Sequence, residues 1–301
     1  MKSGLLSTVE VSHMLKVNES TVKRWTDKGT LKCIKTPGGH RKYKMKDVVS
    51  FMDQFEYDIT DLVVPTKAQT KKIAVSTDYA ILTKNFASLA NFFLESALEG
   101  IRENTFQLLS LLYTNRISQI EIFDKIIFPA FHDIGIKWMK KEIGVEQEHI
   151  ASNTALHAIL RLQDNINKKP NHGLIALCGC IEDEYHEMGI TCVANALEVN
   201  GWTTYYLGAN VPTSSFVDAI EQYSPDVVCI SSTIPKTQRQ LLETCYTLKE
   251  ATQNINAKFI AGGIGATGKL KEKLPADFVP ITVADVIEYT NELVAKKKEA
   301  H

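Results

Sequence analysis

The sequence contains no long apolar segment. No stretch of its 301 residues runs for the roughly 18 uncharged apolar positions that a membrane-spanning helix needs. The N-terminus also lacks the basic stretch followed by an apolar core that is typical of a secretory signal. We therefore expect a cytoplasmic protein with no membrane partner.

Cysteine is sparse and scattered. The six cysteines include no C-x-x-C pair with the spacing of zinc ligands, and the nearest approach is Cys178-x-Cys180. On a strand these two side chains share one face. We expect buried, reduced thiols rather than a metal or redox centre.

The chain as a whole lacks an excess of either charge, because its formal net charge is only −1. The charge is nevertheless segregated, because residues 1–50 contain eleven Lys and Arg against four Asp and Glu. This balance of +7 in the head leaves −8 for the remaining residues. The segregation predicts that only the head contacts a polyanion.

The length exceeds the roughly 250 residues at which a single core stops growing, so we expect several domains. Glycine and proline are almost absent between residues 78 and 168, where apolar-periodic runs predict four antiparallel helices. These runs end near Leu98, Tyr113, Met139 and Asn167. After Lys169-Pro170, short apolar strands alternate with helices, which favours a doubly wound, flavodoxin-like parallel sheet. The predicted strands are Leu174–Cys178, Thr203–Leu207, Val227–Ser231 and Lys258–Ala261.

Four segments are therefore predicted. They are a winged helix-turn-helix over residues 1–56, a linker over 57–77, a four-helix bundle over 78–168 and a Rossmann-like domain over 169–301. The linker is predicted because the apolar period is lost there around Pro65 and a Lys71-Lys72 pair.

The head shows local signals for two helices and a hairpin. Ser7-x-x-Glu10 is a capping-box pattern, and Asn18 is placed to cap a second helix that turns Val22 and Trp25 inward. The same helix turns four polar side chains outward: Ser20, Thr21, Lys23 and Arg24. A Gly-rich hairpin follows and carries His40, Arg41 and Lys42 at its tip.

A helix with this outward face fits the major groove of DNA, and the hairpin cations fit phosphates. Residue by residue, a small charged helical domain without nucleic acid is an equal alternative. The ordered set, however, resembles the MerR-type winged helix-turn-helix, whose G-H-R-x-Y wing corresponds to Gly39-His40-Arg41-Lys42-Tyr43. The resemblance implies a double-stranded DNA operator and contacts from Ser20, Thr21, Lys23, Arg24, His40, Arg41, Lys42 and Tyr43. Metal-sensing MerR proteins continue into a long coiled coil, which the proline-containing linker replaces here, so we expect oligomerisation to arise elsewhere.

The first strand of the last domain runs into a loop that carries His186. In parallel sheets ligands bind outside the carboxyl ends of the strands, so this imidazole is placed to meet a metal. Glu184, two residues earlier, is placed to accept the proton of the second ring nitrogen, and Gly189 permits close approach of a bulky ligand. The alternative for a lone loop histidine is an exposed side chain without function.

The wider pattern resembles the cobalamin-binding motif D-x-H-x-x-G, S-x-L and G-G of methionine synthase, corrinoid proteins and mutases. By this resemblance His186 is the lower axial ligand of cobalt and Glu184 its hydrogen-bond partner. The slot for the displaced nucleotide tail is lined by Ser231, Thr233, Gly262 and Gly263. This chain has Glu for the motif's Asp and Thr for its Leu, and the longer carboxylate puts the bond to His186 in question.

Trp138, followed after nine residues by Glu148-His149, is similar to the W-x9-E-H signature of the CarH-type photoreceptor repressors. These repressors have the same order of domains as this chain and the same E-x-H-E-x-G motif at the lower site. The resemblance implies that Trp138, Glu148 and His149 cover the upper ligand, an adenosyl group. In the light-sensing members a His follows the Trp and takes the upper cobalt site after light breaks the Co–C bond. Here Met139 stands there, and spacing alone selects neither His132 nor His157 as a substitute.

Together these resemblances predict a cobalamin-dependent transcriptional regulator that is a repressor and not an enzyme. Adenosylcobalamin is the expected cofactor, with methylcobalamin as the alternative. The cofactor is expected to control a homo-oligomer, a dimer or tetramer, and light is a candidate signal. Two alternatives stay open: a corrinoid protein that carries methyl groups to a methyltransferase, and a regulator that has lost cobalamin binding.

Overall fold

The computed structural model describes residues 5–15, 17–55, 77–233 and 238–299. The chain divides into two compact units, Met1–Phe92 and Phe93–His301. The predicted linker, residue 77 excepted, lies outside the described residues. Among the helices that are described, none is both long and apolar enough to cross a membrane.

The first unit begins with a winged helix-turn-helix. Its elements are β1 (Leu6–Ser7), α1 (Thr8–Met14), α2 (Glu19–Asp27), β2 (Ile34–Lys35), β3 (Arg41–Tyr43), α3 (Met45–Gln54), α4 (77–82) and the first part of α5 (Phe86–Glu99). The three strands form an antiparallel sheet in the order β1-β3-β2. This is the predicted arrangement of two helices, a wing and a third helix.

Local capping in the head follows the sequence pattern at one helix and differs at the next. The Ser7 backbone N–H donates to Glu10 Oε2 at 2.6 Å, and the Glu10 N–H donates to Ser7 Oγ at 3.2 Å, so the predicted capping box is formed. Asn18 occupies the N-cap of α2, but its side chain makes no capping hydrogen bond there. Its backbone carbonyl accepts from Thr21 N–H at 2.9 Å instead.

The head has its own apolar core. Val22 is fully buried, and Trp25 packs against this core with its ring 4.8 Å from that of Phe51. Tyr43 is fully buried as well, and its hydroxyl lies 2.9 Å from Thr26 Oγ1 on α2. The inward face of α2 is therefore the predicted one.

The second unit contains the rest of α5 and the helices that follow it. These are α6 (Arg102–Thr114), α7 (Gln119–Ile122), a π-helical turn (Phe123–Ile127), α8 (Phe128–Met139) and α9 (Val145–Gln163). Since α7, the π turn and α8 run without a break, α5 to α9 form the four helices of the predicted bundle among the described residues. The last helix ends at Gln163, four residues earlier than predicted.

The remainder of the second unit is the α/β domain. Its elements are β4 (Ile175–Ile181), α10 (Met188–Val199), β5 (Thr203–Val211), α11 (Thr213–Tyr223), β6 (Val227–Ser231), α12 (Gln238–Asn254), β7 (Lys258–Gly262) and α13 (Val283–Glu299). The described strands form one parallel sheet in the order β5-β4-β6-β7. Leu177 on one sheet face clusters with α11 and α12, whereas α10 contacts the sheet and α13. This is the predicted doubly wound topology.

Two strands are longer than predicted. The sequence pattern ended β4 at Cys178, but pairing continues to Ile181, with a register shift at Gly179. The glycine is a point of close approach within the strand, because a Cβ there would lie 2.9 Å from Phe216 and 3.1 Å from Leu207. β5 likewise passes Gly208 and extends to Val211 rather than Leu207.

The cysteines form no disulfide, and five of the six are buried. Cys178 and Cys180 are both fully buried in β4, as the strand pattern predicted. Burial raises the pKa of the Cys180 thiol to about 12, so the thiol stays protonated near neutral pH. The described residues contain no cluster of three or more His, Cys, Asp or Glu that suits a metal ion.

The bundle is joined to the α/β domain through a helix cap. Asp124 lies in the π turn, and its two carboxylate oxygens accept the backbone N–H groups of Val283 and Ala284 at 2.9 and 3.0 Å. These are the first residues of α13, whose N–H groups have no partner within the helix. Asp124 therefore ties the bundle to the last helix of the chain.

We predict that Asp124→Asn lowers the free energy of unfolding by about 1–2 kcal/mol, because one carboxylate acceptor of the cap is lost. Urea unfolding followed by circular dichroism measures the change. Asp133→Asn, on the same continuous helix, is the matched control. Equal urea midpoints for the two variants would contradict the role of Asp124.

Candidate functional site

The loop between β4 and α10 carries His186 at the carboxyl edge of the parallel sheet. About half of the His186 side chain is exposed, 54% by area. Its Nδ1 lies 2.6 Å from Glu184 Oε1, so the bond that the longer carboxylate put in question is formed. The second ring nitrogen, Nε2, is the one left to bind a ligand.

Glu184 is buried, with 3% of its side chain exposed, and its carboxylate is held by several donors. Oε1 also accepts the backbone N–H of His186 at 2.8 Å, and Oε2 accepts the backbone N–H of Thr233. A buried carboxylate is stable only when such bonds replace its hydration. Glu184 thereby connects the loop after β4 to the loop after β6.

The surroundings of His186 favour its charged form. The hydrogen bond to Glu184 raises the pKa of the imidazole, burial lowers it in part, and the charges of Glu184 and Glu148 raise it further. Glu148 belongs to the bundle, so the start of α9 lies close enough to influence the imidazole of the α/β domain. One of the residues predicted to cover the upper ligand, Glu148, is therefore within electrostatic range of His186.

Trp138, Glu148 and His149 lie at adjoining ends of α8 and α9. Trp138 is 46% exposed at the end of α8. Glu148 Oε2 lies 2.6 Å from His149 Nδ1, and Glu148 Oε1 accepts from Ser152 Oγ at 2.6 Å. The bundle thus carries a second imidazole whose Nδ1 is held by a carboxylate.

An open cleft of about 600 Å³ lies at the turn between these helices. It is lined by Trp138, Met139, Lys141, Glu142, Ile143, Gly144 and Val145. Met139 is 68% exposed there. His132 lies about 10 Å from Met139 along α8, since a helix rises ~1.5 Å per residue. By the same measure, His157 lies about 12 Å from His149 along α9. Neither histidine therefore lies at the position of Met139.

The residues predicted to line the tail slot lie at the same sheet edge but differ in their surroundings. Ser231 ends β6 and is buried, and Gly262 ends β7. Thr233 contributes its backbone N–H to Glu184. Gly263 has φ +93°, and a Cβ there would lie 2.3 Å from the Ser232 carbonyl oxygen. The protein's own backbone therefore fills the space beside Gly263, and its lining of a slot stays a prediction.

Gly189 lies in the first turn of α10, not in the loop before it as predicted. A Cβ at this position would meet only Ser231 Oγ, at an ordinary distance of 3.6 Å. The chain's own packing does not require glycine here. The residues at this edge fit a corrinoid, because a carboxylate-held imidazole is the donor expected beneath a cobalt, and no close contact within the protein explains the glycine at position 189.

Most of the residues predicted to contact DNA lie on the surface of the head. Ser20, Lys23, Arg24 and His40 are exposed, and Thr21, Arg41 and Lys42 are partly buried. Tyr43 is the exception: its side chain is in the core, so it supports the wing and does not reach a nucleic acid. The prediction for Tyr43 was wrong because β3 enters the core of the head at its last residue.

Arg41 forms an ion pair within the head. Its Nη2 lies 2.6 Å from Asp27 Oδ1 at the end of α2, and the carboxylate raises the pKa of the guanidinium. The pair connects the wing to α2. Lys23 lies 3.3 Å from Glu19 in an exposed pair, and such pairs contribute little, so Lys23 is available to phosphates.

Two residues of β5 contact the His186 loop and were not anticipated from the sequence. Asn210 bonds to the backbone of Asp183 and Glu184, and Tyr206 bonds to Glu187. These contacts depend on how β5 pairs with β4, and the predicted strand, which ended at Leu207, did not include Asn210. A polar residue two positions after Gly208 was the only local signal.

Three segments of the chain match models of known protein families. Residues 5–55 match a helix-turn-helix domain model, residues 89–163 a B12 binding domain model, and residues 174–294 a second B12 binding domain model. The predicted domain boundaries at 56, 77 and 168 stay predictions.

Relatives occur among both corrinoid proteins and regulators. The trimethylamine corrinoid protein of Methanosarcina barkeri is 26% identical over 188 residues, which cover 61% of this chain and 83% of that protein. The HTH-type transcriptional repressor CarH of Myxococcus xanthus is 27% identical over 136 residues, 44% of each chain. The M. barkeri monomethylamine corrinoid protein shares the fold, with a TM-score of 0.58 and 18% identity over 67% of this chain and 96% of that one. The chain therefore combines a helix-turn-helix domain with B12-binding domains, and its cofactor is a cobalamin.

We predict that His186 in the cobalamin-free protein titrates above its ordinary pKa of 6.5, because Glu184 holds the protonated ring. A raised histidine pKa stabilises the fold below pH 6.5, and this contribution is lost as the pH rises through the raised pKa. Histidine ring NMR measures the titration. Glu184→Gln is expected to lower the pKa, whereas Glu182→Gln, an exposed change in the same loop, leaves it in place. An unchanged pKa in Glu184→Gln would refute the pairing.

We also predict that Gly189→Ala weakens cobalamin binding without destabilising the ligand-free protein. The ligand-free protein keeps its stability or gains up to about 1 kcal/mol, because alanine favours the helix. Cobalamin affinity falls, as measured by absorption titration. In the contrasting variant Gly263→Ala, the clash with Ser232 lowers stability even without ligand. Wild-type cobalamin affinity in Gly189→Ala would show that no ligand approaches this backbone.

Proposed function

We propose that the chain is a DNA-binding transcriptional regulator, a repressor whose cobalamin controls its oligomeric state. One observation carries the proposal: the same chain holds a helix-turn-helix with an exposed cationic helix and a carboxylate-held imidazole at a corrinoid-binding sheet edge. The cofactor acts as a signal, and the proposal assigns no catalytic residue.

The proposed DNA contacts come from α2 and the wing. Arg24 and Lys23 enter or flank the major groove with Ser20 and Thr21, and His40, Arg41 and Lys42 follow the phosphates. If the four permanent charges of Lys23, Arg24, Arg41 and Lys42 each neutralise one phosphate, the log-log salt slope is about −4 per head, and roughly twice that for a dimer. The Arg41–Asp27 pair supports the proposal because it sets the wing at a defined position beside α2.

The proposed cofactor form is adenosylcobalamin, with methylcobalamin as the alternative. When bound, the cofactor supplies a cobalt–carbon bond that light can break. His186 would bind the cobalt with Glu184 as its partner, and Trp138, Glu148 and His149 would cover the upper ligand. Met139 offers only a thioether, a weak ligand for oxidised cobalt, so we expect no protein bond from this position after the upper ligand is lost.

The alternative function is that of a corrinoid methyl carrier. It is favoured by relatives of that class, one of which is matched over 83% of its length. A carrier has no use for the cationic face of α2. Sequence-specific DNA binding therefore distinguishes the two functions.

We predict that wild-type protein with adenosylcobalamin, kept dark, enriches specific duplexes from a random-sequence library. Arg24→Ala then weakens binding to the selected duplex by about 10-fold or more, because a groove contact is lost. Arg239→Ala, which removes an exposed guanidinium from α12, is the control and keeps wild-type affinity. If no duplex is enriched, or both variants bind equally, the carrier function is favoured.

The same protein tests the role of the cofactor. Solution mass is measured with and without adenosylcobalamin, each in the dark and after illumination. We expect a larger assembly only in the dark, loaded sample. A single mass in all four samples would reject control of assembly by the cofactor.

A further inference from the structure

The loop that presents His186 is anchored to the edge strand β5 on both sides of the histidine. Glu184 holds the imidazole from one side only, so the orientation of the ring also depends on the backbone of the loop. The loop includes Asp183 in a left-handed conformation, with φ +65°. Such a backbone needs bonds to neighbouring elements to hold one conformation.

The first anchor precedes His186. Asn210 Oδ1 accepts the backbone N–H of Asp183 at 2.8 Å, and the backbone N–H of Asn210 donates to the carbonyl of Glu184 at 2.8 Å. The two bonds run in opposite directions between the same segments, so they fix both position and tilt of the chain at Glu184. Asn210 is itself left-handed, with φ +52°, a conformation that asparagine adopts more readily than most residues.

The second anchor follows His186. The Tyr206 hydroxyl donates to Glu187 Oε2 at 2.8 Å and lies 2.7 Å from Thr191 Oγ1. Because a hydroxyl has one proton to donate, Thr191 is the donor in the second bond. The Thr191 backbone N–H also bonds to the Glu187 carbonyl at 2.9 Å. Tyr206 therefore connects the end of the loop and the first turn of α10 to β5.

We propose that Tyr206 and Asn210 are positioning residues, which hold the His186 loop against β5 so that the imidazole meets cobalt in one orientation. This inference rests on cobalamin binding through His186. Neither residue is hydrogen-bonded to the imidazole: Asn210 acts through the backbone of Asp183 and Glu184, and Tyr206 acts through Glu187. Ordinary loop stabilisation is the competing explanation, and it differs in its consequences: it alters stability without altering the coordination of cobalt.

The test compares full-length wild type, Tyr206→Phe and Tyr205→Phe. Tyr205 is the matched control, because it is the adjacent tyrosine of β5 and stacks on Tyr223 with ring centroids 4.2 Å apart. We expect Tyr206→Phe to weaken cobalamin binding by about 5-fold, the typical net value of the hydrogen bond that the hydroxyl donates to Glu187. We also expect it to reduce the fraction of cobalt(II) with a nitrogen ligand, seen as ¹⁴N splitting in the electron paramagnetic resonance spectrum. Tyr205→Phe leaves both quantities at their wild-type values.

A second pair of variants separates the positioning role from a general loss of folding. Asn210→Gly removes the side chain but tolerates the left-handed backbone, and Asn210→Asp keeps the oxygen that accepts from Asp183. We expect the nitrogen splitting to weaken in the first and to be restored in the second. If wild type binds cobalamin and all four variants keep its spectrum and affinity, the positioning role is overturned. If wild type binds no cobalamin, the proposed function fails first.

Discussion

The hydrogen bond between Glu184 and His186 is the interaction on which the candidate site depends. It places a carboxylate in the protein interior, where an ionised group costs several kcal/mol unless its oxygens find donors. The imidazole, the His186 N–H and the Thr233 N–H supply those donors. Because the donors come from loops after two different strands, the carboxylate that orients the imidazole also joins the ends of β4 and β6. Any change that weakens its hydrogen bonds therefore disturbs ligand geometry and sheet edge together.

The bundle is held to the α/β domain at the end remote from Trp138. The buried Gln163 side chain donates to the Asn195 carbonyl at 3.1 Å and accepts from Gln119 at 2.8 Å, and Asp124 caps α13. At ~1.5 Å per residue, Trp138 lies about 20 Å along its helix from Asp124. Polar contacts thus hold one end of the bundle, while the exposed side chains of Trp138 and Met139 lie at the other end. The residues that the sequence pattern assigns to the upper ligand are therefore separate from the buried polar contacts that join the two domains.

Local signals were reliable where the interaction spans only a few residues. The Ser7–Glu10 capping box, the inward face of α2 and the pairing of Glu184 with His186 are examples. Predictions failed where a distant segment decides the outcome. Gly179 and Gly208 looked like strand ends, yet both strands continue, and at Gly179 the reason is close approach of Phe216 and Leu207. Tyr43 looked like a surface residue of the wing and is instead part of the core of the head.

The sequence by itself determined the fold class, with a helix-turn-helix and a parallel sheet in one chain, and the histidine with its carboxylate, because periodicity and short spacings carry that information. Only the tertiary structure decided which residues support that histidine. Asn210 and Tyr206 of β5 form hydrogen bonds to the loop that carries His186, and the charge of Glu148, in the bundle, acts on the imidazole. Asp124 caps a helix 159 residues away. Such contacts follow from how elements pack, and no local pattern encodes them.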